Sequence, residues 1–169
     1  MKKSLITLLL LSLLVSGCGY RIGSIMHPQV KSIAIAPIKN ETMEPDASAL
    51  LRQALAEQFV VDGSLKVKSL QEADCIVYAQ IKEVAVDGVV RTSRDSEMNF
   101  SMSEWRAKTK VEFTVIIPGR TKPLVSKRTV SGSANFQVLT DQSITRQRGV
   151  QQSLRDVADK VVQSIVEAW

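Results

Sequence analysis

From Glu104 to Ile117 the chain alternates with a period of two. Trp105, Ala107, Thr109, Val111, Phe113, Val115 and Ile117 fall on one side, and Glu104, Arg106, Lys108, Lys110 and Glu112 on the other. A helix would spread these residues around its cylinder, whereas an extended strand gathers each set on one face. A strand this long, apolar on one side and charged on the other, commits the chain to a sheet with one face covered. The second face is left to water or to a polar partner.

Neighbouring segments supply the rest of that sheet. Lys31-Ser32-Ile33-Ala34-Ile35-Ala36-Pro37 is apolar on both sides, the pattern of an interior strand ended by proline. Asn40 to Glu44 is a polar loop. Pro45-Asp46 then opens a helix, with Asp46 the expected N-cap, and Asp62-Gly63 closes it; Leu51, Leu55 and Phe59 recur at four-residue steps. Leu65-Lys66-Val67-Lys68 is a short strand, so this stretch reads as a βαβ unit with a right-handed crossover. From Cys75 a long strand alternates until its apolar phase shifts to Val84 and Val86, which predicts a bulge at Lys82-Glu83.

Asp87 to Ser103 reads as a polar hairpin end, basic at Arg91 and Arg94 and tipped by Met98 and Phe100. Pro118 to Pro123 is a tight turn, Leu124 to Ala134 a third antiparallel strand, and Asn135-Phe136-Gln137 part of a polar loop. A last helix starts near Ser143 and buries Val150, Leu154, Val157, Val161, Ile165 and Ala168 along one face, with Gly149 weakening its first turns by ~1 kcal/mol. The expected fold is α+β: a mixed four- to five-stranded sheet with two helices packed on one face and the other face polar.

The first residues set the compartment. Met1-Lys2-Lys3 is a positive n-region, Leu5 to Val15 an apolar core, and Val15-Ser16-Gly17-Cys18 the pattern of a bacterial lipoprotein signal. The core is too short for a spanning helix, which needs ~20 apolar residues. The expectation is therefore a signal peptide over 1–17, a lipidated, acylated Cys18 with a tether over 18–30, and one periplasmic domain over 31–169. Gly19 stands where an aspartate would argue for the inner membrane, which makes the outer membrane the expected location. Without Lys2 and Lys3, 20 basic residues face 17 acidic ones, a net charge of +3 that does not point to nucleic acid. Cys75 is then the one remaining thiol, set in a strand-like run as a small buried hydrophobe.

Catalytic constellations are missing. The single histidine, His27, lies in the tether, and no G-x-S-x-G, P-loop, C-x-x-C or H-E-x-x-H occurs. Asp156 and Asp159 share a helix and read as solvated surface. No enzyme, metal or cofactor is expected. Binding chemistry is better represented: Arg106, Lys108 and Lys110 line one strand face, with Arg91 and Arg94 at the adjoining hairpin end. Such a row can hold phosphates or carboxylates through charge-assisted hydrogen bonds. Glu104 and Glu112 on the same row favour the alternative of a solvated face.

Three stretches resemble the LPS-assembly lipoprotein family (LptE): Cys18-Gly19-Tyr20-Arg21, the strand ending Ile35-Ala36-Pro37, and Glu104-Trp105 through Val115-Ile116-Ile117-Pro118-Gly119-Arg120. The resemblance implies a sheet-and-two-helix domain that plugs the outer-membrane β-barrel LptD and takes part in inserting lipopolysaccharide into the outer leaflet. It also implies lipopolysaccharide contact through basic residues of the hairpin region, here Arg91, Arg94 and Arg106, and suggests Pro118, Gly119 and Arg120 as a partner-facing turn. Ser32 to Thr42 resembles as well the first strand of lipoproteins that activate peptidoglycan synthases or build secretion channels (LpoB and CsgG types).

Overall fold

The computed structural model describes residues 30–89, 104–137 and 142–167. Its elements are β1 (Ser32–Ile35), β2 (Lys39–Asn40), α1 (Ala47–Asp62), β3 (Lys66–Val67), β4 (Cys75–Val89), β5 (Glu104–Ile116), β6 (Val125–Phe136) and α2 (Gln142–Val166). They form the expected α+β layer, with a mixed sheet in the order β3-β1-β4-β5-β6 and β2 paired to β4 beyond the end of β1. Strand β1 pairs in parallel with β3 and with β4, β2 pairs in parallel with β4, and the β4–β5 and β5–β6 pairs are antiparallel.

Both helices lie on one face. Ala47, Leu51, Ala54, Leu55 and Phe59 bury the inner side of α1. Val150, Leu154, Val157, Val161 and Ile165 do the same for α2. They close over Ile33, Ile35, Val77, Ile81, Val111, Phe113 and Val115 in one core. The side chain of Asp46 makes no capping hydrogen bond; its carbonyl instead accepts from Leu50 N–H at 3.0 Å. Gly63 ends α1 in the left-handed region (φ 70°), its N–H donating to the Phe59 carbonyl at 3.0 Å.

The bulge falls where the phase shift predicts it, between Ile81 and Glu83. Strand β4 runs on through Val89 and pairs with β5 as far as Glu104, so Asp87 to Val89 belong to the ladder and not to a loop. Asn135 and Phe136 likewise belong to β6, opposite Arg106 and Trp105. Val30, the last residue of the expected tether, packs into the core.

Two close approaches explain residues that look weak in the sequence. A Cβ on Gly149 would lie 2.3 Å from the Phe136 ring, and one on Gly132 would lie 2.5 Å from the Ser153 carbonyl and 2.7 Å from Val157 N. Only glycine lets α2 cross β6 this closely. Thr109, the polar member of the β5 core row, is satisfied at the same crossing: its Oγ1 lies 2.7 Å from Ser153 Oγ, which itself donates to the Val150 carbonyl. Cys75 is buried, and burial followed by the Asp74 charge pushes its thiol up to about 12, the chemistry of an inert core residue.

Candidate functional site

The sheet face opposite the helices has two parts. At its base Ala34, Ala36, Ala73 and Ile76 form a small apolar cluster with Ile116, so this end is not polar. Above it, β4, β5 and β6 present polar side chains. Register decides which ones meet. Arg106 sits across from Asp87 on β4 and Asn135 on β6, Lys108 across from Ala85 and Ser133, and Lys110 across from Glu83 and Ser131. Arg106 Nε donates to Asn135 Oδ1 at 2.7 Å, and Asn135 Nδ2 to Glu104 Oε1 at 3.2 Å. Lys127 pairs with Glu112 at 2.6 Å.

The three cations of β5 do share one open face. Acids flank two of them, which makes the face a mixed-charge surface and not a cationic stripe. Lys108 is the exception, with an alanine and a serine as its cross-strand neighbours. Its exposed ammonium between small side chains is the position best able to donate to an anionic oxygen from outside. Arg91, Arg94 and Cys18 lie outside the described residues. The Pro118-Gly119-Arg120 turn stands at the far end of β5, with Gly119 at φ 80° and Arg120 N–H donating to the Ile117 carbonyl at 3.1 Å. It is therefore remote from the Arg106 end of the same strand.

Residues 30–169 match a family model described as LptE, lipopolysaccharide-assembly. The chain belongs to the LptE family. Solved structures with the same fold include a protein from Xanthomonas campestris (TM-score 0.60, 12% identity, covering 85% of this chain and 89% of that one). A hypothetical protein from Chlamydia trachomatis scores 0.55 at 11% identity over 83% and 99% of the two chains. A minor lipoprotein from Acinetobacter baumannii scores 0.52 at 11% over 82% and 94%. No curated protein matches the sequence.

Membership in the LptE family places the chain in lipopolysaccharide assembly, and the matched region spans both helices and the whole sheet. Among the described residues no group of ligating side chains could hold a metal, and no helix is long and apolar enough to cross a membrane. Reading the sequence missed a working pair on α2. Asp156 accepts the Ser133 N–H at 2.8 Å and Lys160 Nζ at 2.8 Å, and Lys160 also donates to the Ser131 carbonyl at 2.9 Å. Burial pushes the Asp156 carboxyl up, but the Lys160 ammonium and the Ser133 N–H outweigh it and hold the group below its usual range. Asp159 accepts from Gln58 of α1 at 2.9 Å. These acids join elements and are not merely solvated; their i, i+3 spacing on a helix carries no signal of what they face.

Proposed function

We propose that this LptE-family protein is an outer-membrane lipoprotein, anchored through acylated Cys18 and facing the periplasm. In this reading it is the non-catalytic plug and assembly partner of the LptD β-barrel. The observation that carries the reading is the family match over residues 30–169, which spans a domain whose helices cover one sheet face and leave the other polar above its small apolar base. A mixed-charge face loses its hydration in an apolar pocket, whereas the lumen of a large barrel keeps it wet. Acyl chains on Cys18 contribute ~0.8 kcal/mol per buried CH₂ and hold the domain beside such a barrel.

The anionic ligand of the face is lipopolysaccharide, met by Lys108 with Arg106 and Lys110 beside it and by Arg91 and Arg94 of the hairpin region. Nothing in this role needs a bond to be made or broken. The test is affinity purification of the lipidated protein from detergent-solubilised outer membranes, with co-purifying chains identified by mass. A large β-barrel in one-to-one ratio is the expected result. A penicillin-binding protein or a homo-oligomer in its place overturns the reading.

A further inference from the structure

The ladder leaves one stretch of strand unpaired. Strand β4 is bordered by β1 over Cys75 to Val77 and by β2 over Gln80 and Ile81, and β2 ends there. From Val84 onward β4 has β5 on one side and no strand on the other among the described residues. Hydrogen-bond parity fixes which groups face outward. The Val77 and Ile81 carbonyls point away from β5, accepting from Ala36 and Glu41, and the bulge advances the parity by one. The N–H and C=O of Val84, Val86 and Gly88 therefore all point away from β5, to the side where no strand lies among the described residues.

Side-chain chemistry along this edge is two-sided. Val84 and Val86 are half-buried beside the helix layer, while Glu83 and Asp87 are exposed on the open face. We infer that the Val84–Gly88 edge takes up an extended segment of a partner protein as an added strand. That segment has apolar residues toward the helix layer, beside Val84 and Val86, and basic residues on the open face, beside Glu83 and Asp87. Backbone pairing supplies the attachment and the alternation supplies the selectivity. The inference rests on the barrel-partner reading above, and the segment belongs to that partner. The edge spans roughly 17 Å, enough for five residues at ~3.4 Å each.

The experiment is performed on the lipidated protein co-purified with its barrel. Amide hydrogen exchange is compared between the free and complexed protein at Val84, Val86 and Gly88. Co-purification is then measured for Val86→Pro, which removes an outward N–H without breaking the β4–β5 ladder, and for Val86→Thr, which keeps it. Expected are exchange slowed at least ~10-fold at these amides in the complex, a barrel yield reduced ~10-fold by Val86→Pro, and a wild-type yield with Val86→Thr. Unchanged exchange at all three amides, in a complex that still contains the barrel, overturns the strand inference and leaves the barrel reading standing. A wild-type preparation without any barrel overturns both. Should Val86→Pro alter the circular dichroism of the free protein, the exchange comparison in the wild-type complex decides.

Discussion

The antiparallel half of the sheet has two edges, and α2 treats them differently. Along β6 the outward groups of Ser131 and Ser133 are met by Lys160 and Asp156, and Gly132 lets the helix backbone come down onto the strand. Along β4 the outward groups of Val84, Val86 and Gly88 meet nothing comparable among the described residues. What borders that edge is a bulge and an ion-pair bridge: Glu41 accepts from Lys39 and Lys82, each at 2.9 Å, where β2 ends. The polar Ser-Gly-Ser strand is thus the closed edge and the more apolar Val-Ala-Val strand the open one. In this sheet the protection of β6 comes from what packs beside the strand and not from the strand's own composition.

The comparison breaks most sharply at Gly132. Gly132→Ala puts a methyl group against helix backbone that cannot swing aside, and should cost about 2–3 kcal/mol, read as a lower urea midpoint. Proline tests the two edges on equal terms. Ser133→Pro removes the N–H held by Asp156 and should cost about 1–2 kcal/mol, while Val86→Pro in the free protein should cost under about 1 kcal/mol. Equal losses would mean that the edges do not differ.

Asp156→Asn probes the guarded edge by pH. Its carboxyl is held below the usual 3.8, so the folded state binds the proton less tightly than the unfolded chain does. The stabilisation is full above that value and is lost as pH falls below it. The variant should be less stable by about 1 kcal/mol at pH 7 and should show a shallower acid limb, followed by thermal melts from pH 6 to 2.

The smallest effect belongs to the bridge at the open edge. Hydrogen bonds from Lys39 and then Lys82 lower the Glu41 carboxyl from 4.5 to about 2, so its contribution is present above 4.5 and fades between there and about 2. Because the site is exposed, Glu41→Gln should give a small loss of melting temperature at low salt that vanishes at high salt.

Local pattern carried much of the architecture. Alternation around Phe113 identifies a half-buried strand, the phase shift at Val84 identifies a bulge, and the Leu51-Leu55-Phe59 stripe identifies the first helix. Each depends only on residues within a few positions of one another. The site was less legible. Arg106, Lys108 and Lys110 are visible as a row, yet the acids opposite two of them lie more than fifteen residues away on β4, and only the register brings Glu83 to Lys110 and Asp87 to Arg106. Asp46 has the chemistry of a cap but makes no such bond, because its backbone stays helical at φ −88° and ψ −4°.

By itself, then, the sequence determined which segments extend, which coil and which face of each is apolar, because periodicity is a short-range property of the chain. Tertiary structure alone decided the lateral order, the placing of acids across from Arg106 and Lys110, the fit of Gly132 and Gly149 under a helix and an aromatic ring, and which edge lacks a strand among the described residues. Those outcomes depend on pairs tens of residues apart, whose approach is selected by packing the whole layer at once.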